Sequence, residues 1–182
     1  MILPIVKYPD PVLRKKGSPI AAIRDDIRDL ARDMIETMHA ANGVGLAAQQ
    51  IGKPLQIAVV DVRKSEHPSQ MLIGARDVPV ESQMPLVLIN PSITQHSGEE
   101  IDMEGCLSFP ELTGDILRSS SIHVTATRLD GTLLKFTATG LLARAVQHEL
   151  DHLNGVLFID RMAPSQLDML KPALEKLEKT AR

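Results

Sequence analysis

One cysteine, Cys106, among 182 residues excludes a disulfide within this chain. A lone thiol is either a small buried hydrophobe, a nucleophile or a metal ligand. Tryptophan is absent, and one Tyr and three Phe leave aromatics at 2%, so the core must be aliphatic. The same scarcity removes the stacking platforms that single-stranded nucleic acid needs. No apolar run approaches the roughly 20 residues that span a bilayer. The opening MILPIVKYPDPVLRKKGSP carries its charges after a short apolar patch broken by Pro4, which is not a secretory pattern. A net charge of −3 gives no reason to expect nucleic acid or an anionic membrane as partner. What remains is a chain expected in the cytoplasm or another reducing compartment, with 1–182 forming a single domain.

Apolar spacing at Ile27, Leu30, Met34, Ile35 and Met38 predicts an amphipathic helix from Ile23 to about Ala41, stopped by Asn42-Gly43. A Gly-rich stretch, Gly43-Val44-Gly45-Leu46-Ala47-Ala48-Gln49, follows; it lacks both the dinucleotide spacing and a P-loop lysine. Leu55–Val62 and Leu86–Ile89 read as strands, the second closed by Asn90-Pro91. Between them, 63–85 is polar, carries Pro68, Pro79 and Pro85, and reads as a surface excursion. Ile122–Leu129 and Thr132–Thr139 alternate as paired strands around Asp130-Gly131, a strong hairpin turn. Helices are expected over Leu141–Leu153 and about Ser165–Thr180. Clustered strands joined by hairpins predict an α+β fold, with mostly antiparallel sheet around a central helix and a C-terminal helix.

That central helix carries His148-Glu149-Leu150-Asp151-His152. Residues four apart share one helix face, so His148 and His152 can reach one ion, and Glu149 can face the water such a site activates. Two His leave a catalytic site one protein ligand short. The candidates are Cys106, a carboxylate, or His39, His67, His96 and His123. The first three of those His fit surface positions, and His123 fits a sheet histidine. Cys106 sits in Glu104-Gly105-Cys106-Leu107-Ser108, and a thiolate is a strong ligand for Zn²⁺ or Fe²⁺.

Three segments now line up in order: Gly43–Gln49, Glu104–Ser108 and Gln147–His152. Together they resemble the three motifs of the peptide deformylases, which remove the formyl group from the N-terminal methionine of new proteins. Tyr8–Arg14, Leu88–Pro91 and Leu153–Phe158 are similar as well, so the resemblance extends to about residue 162. It implies Cys106, His148 and His152 as ligands of one metal, natively Fe²⁺, with Zn²⁺, Ni²⁺ or Co²⁺ able to substitute. It implies Glu149 as the proton carrier, with Gln49 and the Leu107 backbone N–H as partners of the developing oxyanion. Gly43, Val44 and Gly45 would present backbone to the substrate. Leu142, Ala145 and Val146 offer a methionine pocket with Arg144 at its border. N-formylmethionyl nascent peptides are the implied partners, with a transient ribosome contact through the last helix; its mixed charges equally suit a solvated face. Thr113 stands where some relatives carry an arginine, and Arg118 is placed to pair with Glu104.

Two rival readings remain on residues alone. A metalloprotease using the same helix needs a third ligand downstream of His152, where no His occurs. A structural metal module needs a fourth protein ligand, and the chain has no second Cys.

Overall fold

The computed structural model describes residues 1–181. Among the described residues there are three α-helices: α1 (Asp25–Ala40), α2 (Gly140–Leu153) and α3 (Pro164–Thr180). Seven strands build one sheet: β1 (Gly45–Ala47), β2 (Ile57–Val60), β3 (Ser69–Ile73), β4 (Arg76–Val78), β5 (Leu86–Ser97), β8 (Ser121–Thr127) and β9 (Leu133–Thr139). Their order is β1-β2-β5-β8-β9-β3-β4, and every pairing is antiparallel. β6 (Glu100–Cys106) and β7 (Phe109–Arg118) form a separate two-stranded sheet. The α+β class with mostly antiparallel strands is therefore as expected.

The apolar run of β2 explains how the layers stack. Successive strand side chains point to opposite faces. Ala58 and Val60 join a core with Leu142, Val146, Leu150 and Leu153 of α2, while Ile57 and Val59 join Leu30, Met34 and Met38 of α1. Both faces of β2 are thus covered by helix, and α2 is buried nearly all round. A third cluster joins Leu13, Phe109, Ile116, Phe158 and Leu174, fastening the N-terminal segment and α3 onto the β6–β7 hairpin. Gly140 opens α2 at φ +67, and a Cβ there would collide with the Pro68 carbonyl, so the tight entry into the helix needs glycine.

Two expectations are corrected, and the β6–β7 hairpin lies outside what was expected. The excursion over 63–85 is not simply surface: β3 forms there, buries Met71 and pairs with β9 through Gln70–Thr139 to Leu72–Thr137. Asn90-Pro91 does not close a strand. β5 runs on to Ser97, with Asn90 at φ +48 and a register shift between Ile89 and Ser92, so the turn residues make a bulge. The hairpin β6–β7 had no strong period, because most of β6 is exposed.

One buried carboxylate ties these parts together. Asp61, just past β2, accepts hydrogen bonds from the Arg63 guanidinium (2.6 and 2.9 Å) and meets His39 Nε2 of α1 at 2.8 Å. Arg63, foremost, holds the Asp61 carboxyl down at about 2, against the cost of burial. A lowered carboxyl pKa stabilises the fold above the unfolded value near 4, and the contribution fades as pH falls through about 2. Arg63 is half exposed, which discounts the contribution to about 1–2 kcal/mol. Urea unfolding should therefore show Asp61→Asn less stable than the parent at pH 6, with the gap shrinking between pH 4 and pH 2. A gap that does not change with pH would disprove the ionic role.

Candidate active site

The His-Glu-x-x-His segment lies wholly within α2, and residue types there are divided by face. Leu150 and Leu153 enter the core, whereas His148, Glu149 and His152 turn toward the β6–β7 hairpin and β1. Cys106, at the end of β6, comes from the other side. Its Sγ lies 3.3 Å from His152 Nε2, and the sulfur and one nitrogen of each His all fall within 4.8 Å of one another. Four tetrahedral bonds of 2.0–2.3 Å separate donor atoms by about 3.3–3.8 Å, so the set fits one small cation. Among the described residues this is the one such cluster, and the other four His lie outside it. His67, His96 and His123 are exposed, while His39 is half-buried against Asp61.

Behind the cluster sits Glu104, 7% exposed. Its carboxylate accepts two bonds from Arg118 (2.8 Å each) and one from Arg144 (2.8 Å), and meets His148 Nδ1 at 2.8 Å. Burial works against its charge, but Arg118 and then His148 outweigh it and hold the carboxyl well below the ordinary range. Occupying Nδ1 leaves His148 Nε2 to serve as the ligand atom. Arg118 continues to Asp151, which Arg161 also grips. Burial lowers the tendency of His148 to charge, yet the Cys106 sulfur and Glu104 raise its pKa well above the usual imidazole value. The Cys106 sulfur and the Glu104 carboxylate thus draw positive charge to this point, a demand that a divalent cation also meets.

Glu149 has the opposite surroundings. It is 4% exposed, and its Oε2 is buried with no hydrogen-bond partner among the described residues. Burial pushes its carboxyl up to about 7, with the Glu104 charge adding and His148 opposing. Such a group gains and loses a proton near neutrality, as a general acid–base must.

A cavity of about 400 Å³ opens over these residues. Gly43, Val44, Gly45, Leu107, Ala145 and Arg144 all line it. Its apolar wall is Leu112, Leu141 and Ala145; Leu142 and Val146 face the core instead. Arg144 braces the hairpin rather than facing a ligand, since its guanidinium bonds Glu104, the Ile116 carbonyl and the Glu100 carbonyl. A larger depression, about 980 Å³, lies by Asp151 and Arg161 and holds none of the cluster.

Gln49 is misplaced in the sequence reading. Its amide nitrogen donates to the carbonyls of Lys15 and Leu153 at 3.2 Å, away from the cavity. Gln50 lines the cavity: its Nε2 lies 3.2 Å from Ser108 Oγ and 3.6 Å from Cys106 Sγ, and its Oε1 accepts from the Ala47 N–H. Ala48–Ile51 is a 3-10 turn, where one residue step rotates a side chain by about 120°. The motif's last position could only have been chosen by knowing that turn.

Gly45 is the contact that sets Glu149. A Cβ at Gly45 would overlap Glu149 Oε1 and stand 2.8 Å from its Cδ, so the end of that side chain would have to move. Gly45→Ala should displace the carboxylate and cut kcat/KM by about 100-fold, the cost of a misplaced catalytic group. Metal content should stay near the parent value, since Cys106, His148 and His152 are untouched. Full activity in Gly45→Ala would show that Glu149 tolerates the shift.

Comparison with known proteins agrees with this geometry. The polypeptide deformylase family model matches residues 2–168. The peptide deformylase of Methylacidiphilum infernorum is 48% identical over 179 residues, covering 98% of this chain and 94% of that protein. That of Opitutus terrae is 44% identical, covering 100% and 96%. Among solved structures, a peptide deformylase from Legionella pneumophila superposes with a TM-score of 0.82 at 34% identity, covering all of this chain and 98% of the other. One from Thermotoga maritima gives 0.75 at 37%, over 90% and 99%. The chain is therefore a hydrolase belonging to the polypeptide deformylase family.

Proposed function

We propose that this enzyme removes the formyl group from the N-terminal formyl-methionine of newly made polypeptides and releases it as formate, in a metal-dependent reaction. The observation that carries the reading is the buried, unpartnered Glu149 carboxyl beside Cys106, His148 and His152 in one cavity. The protease reading loses ground because the third donor is a thiol supplied by β6, upstream of the helix.

Cys106, His148 and His152 would hold the ion, Fe²⁺ in the cell, with Zn²⁺, Ni²⁺ or Co²⁺ able to take its place. When bound, a divalent metal supplies Lewis acidity and lowers the pKa of water toward about 7. Glu149 takes a proton from the attacking water as the new C–O bond forms at the formyl carbon. The same carboxyl then gives that proton to the departing amine nitrogen as the C–N bond breaks. Negative charge gathers on the former carbonyl oxygen, where Gln50 Nε2 and the Leu107 backbone N–H donate hydrogen bonds. Gly43, Val44 and Gly45 orient the peptide, and Leu112, Leu141 and Ala145 receive the methionine side chain. A reducing cytoplasm suits a thiolate ligand and brings the enzyme to nascent chains.

The decisive assay is formate release from formyl-Met-Ala-Ser under anaerobic conditions, with metal analysis of the same sample. Glu149→Gln should fold, hold its metal and lose at least about 100-fold in kcat; retained turnover would assign the base elsewhere. Gln50→Leu should lose about 10²–10³ in kcat/KM with metal bound. Gln49→Leu should instead lower the melting temperature, because the Lys15 and Leu153 carbonyls lose a donor. The reverse pattern would restore Gln49 to the site.

A further inference from the structure

The turn that carries Leu107 is not held by its own hairpin. The β6–β7 ladder keeps one register from the pair Glu100 and Arg118 to the pair Gly105 and Thr113, which continued would set Cys106 against Leu112. Cys106 pairs instead with Phe109, because β7 bulges over residues 110–112, with Glu111 at φ +62. The ladder is therefore broken one step before the residue whose N–H serves the developing oxyanion.

The N-terminal segment supplies what the ladder lacks. Three consecutive residues span the gap between this turn and the 3-10 turn that carries Gln50. The Val6 N–H donates to the Gln50 carbonyl at 2.7 Å, and the Tyr8 N–H to the Ser108 carbonyl at 2.9 Å. Between them the Lys7 ammonium donates to the Leu107 carbonyl at 2.5 Å. Tyr8 anchors the segment by stacking on Phe109, with centroids 4.8 Å apart, and by donating from its hydroxyl to Glu178 of α3 at 3.0 Å. The two backbone bonds could be made by almost any sequence, but the bond to Leu107 needs a long cationic side chain. Lys7 is exposed and makes no ion pair among the described residues, so its charge is directed at that carbonyl. A charge-assisted bond of this kind is stronger than one between neutral groups. On its other side Leu107 packs on Gly43, where a Cβ would stand 2.8 Å from Leu107 Cδ1.

Resting on the deformylase reading, we propose that Lys7 is a positioning residue for the oxyanion contacts, its ammonium holding the Leu107 peptide so that the Leu107 N–H and Gln50 Nε2 converge on one oxygen. Val6 and Tyr8 fix the spacing of the two turns, and Lys7 removes the freedom left to the one that bears Leu107. Lys7 itself lies outside the cavity and acts only through that turn. Oxyanion contacts strengthen as charge develops, so a loosened Leu107 lowers kcat more than it raises KM.

The test compares the parent holoenzyme with Lys7→Met, which keeps the stem and removes the ammonium, and with Lys7→Arg, which keeps a cation. Formate release from formyl-Met-Ala-Ser gives kcat and KM separately, and metal content and melting temperature are taken on the same samples. Amide hydrogen exchange at Leu107, followed by NMR on the zinc-loaded proteins, reads the position of the turn without turnover. Lys7→Met should lose about three- to tenfold in kcat, a fraction of the cost of deleting an oxyanion donor, with KM within about twofold of the parent. Its Leu107 amide should exchange faster, its metal content and melting temperature should match the parent, and Lys7→Arg should recover most of both losses. Unchanged kcat and exchange in Lys7→Met, a loss carried by KM, metal content or melting temperature, or an equal loss in Lys7→Arg overturns the inference, while formate release by the parent leaves the deformylase reading intact. No formate from the parent overturns that reading, and the inference with it.

Discussion

Glu104 is the constraint on which the site depends. A buried carboxylate is tolerable only when opposing charges and hydrogen bonds replace its hydration, and here three side chains do so. They come from separate places: Arg118 from β7, Arg144 from the second turn of α2, and His148 one turn further on. The carboxylate therefore locks the β6–β7 hairpin to the central helix. That lock brings Cys106, two residues beyond Glu104 on the same strand, against His152 on the same helix. Removing Glu104 would leave Arg118 and Arg144 buried with too few partners and free the Nδ1 of His148. Structure and site would fail together.

The same carboxylate sets the electrostatic contrast that the chemistry needs. Glu104 and Glu149 share one neighbourhood and have opposite protonation tendencies, because one is crowded by guanidinium groups and the other by Gly45 and apolar surface. Divergent environments for neighbouring carboxyls separate a permanent anion from a group that carries protons. Glu104 contributes twice, by fixing the His148 ring and by adding its charge to the burial that raises the Glu149 carboxyl toward neutrality.

Legibility in the sequence followed locality. The His pair, Glu149 and the helix beneath them were readable because four-residue spacing on a helix is a local fact. α1, α3 and the β8–β9 hairpin were readable from periodicity and Asp130-Gly131 for the same reason. β3 within 63–85 was missed because its burial comes from pairing with β9, 69 residues away at Gln70 and Thr139. The exposed face of β6 hid a strand that matters for its ends, Glu104 and Cys106, more than for any hydrophobic pattern. Cys106 itself was one candidate among several until the three-segment resemblance and then the fold brought it to the two His.

The exchange of Gln49 for Gln50 shows where a motif stops being information. Both glutamines are fully buried, both are amides, and they are adjacent. In an extended strand neighbours face opposite sides, in an α-helix they differ by about 100°, and in a 3-10 turn by about 120°. Gly52, at φ +77, ends that turn and fixes how far it has wound when each amide passes the cavity. Gln50 therefore meets Cys106 and Ser108, while Gln49 is used to join the N-terminal segment at Lys15 to the end of α2 at Leu153. One amide faces the cavity and the other holds the wall behind it, and only the winding of four residues separates the two placements.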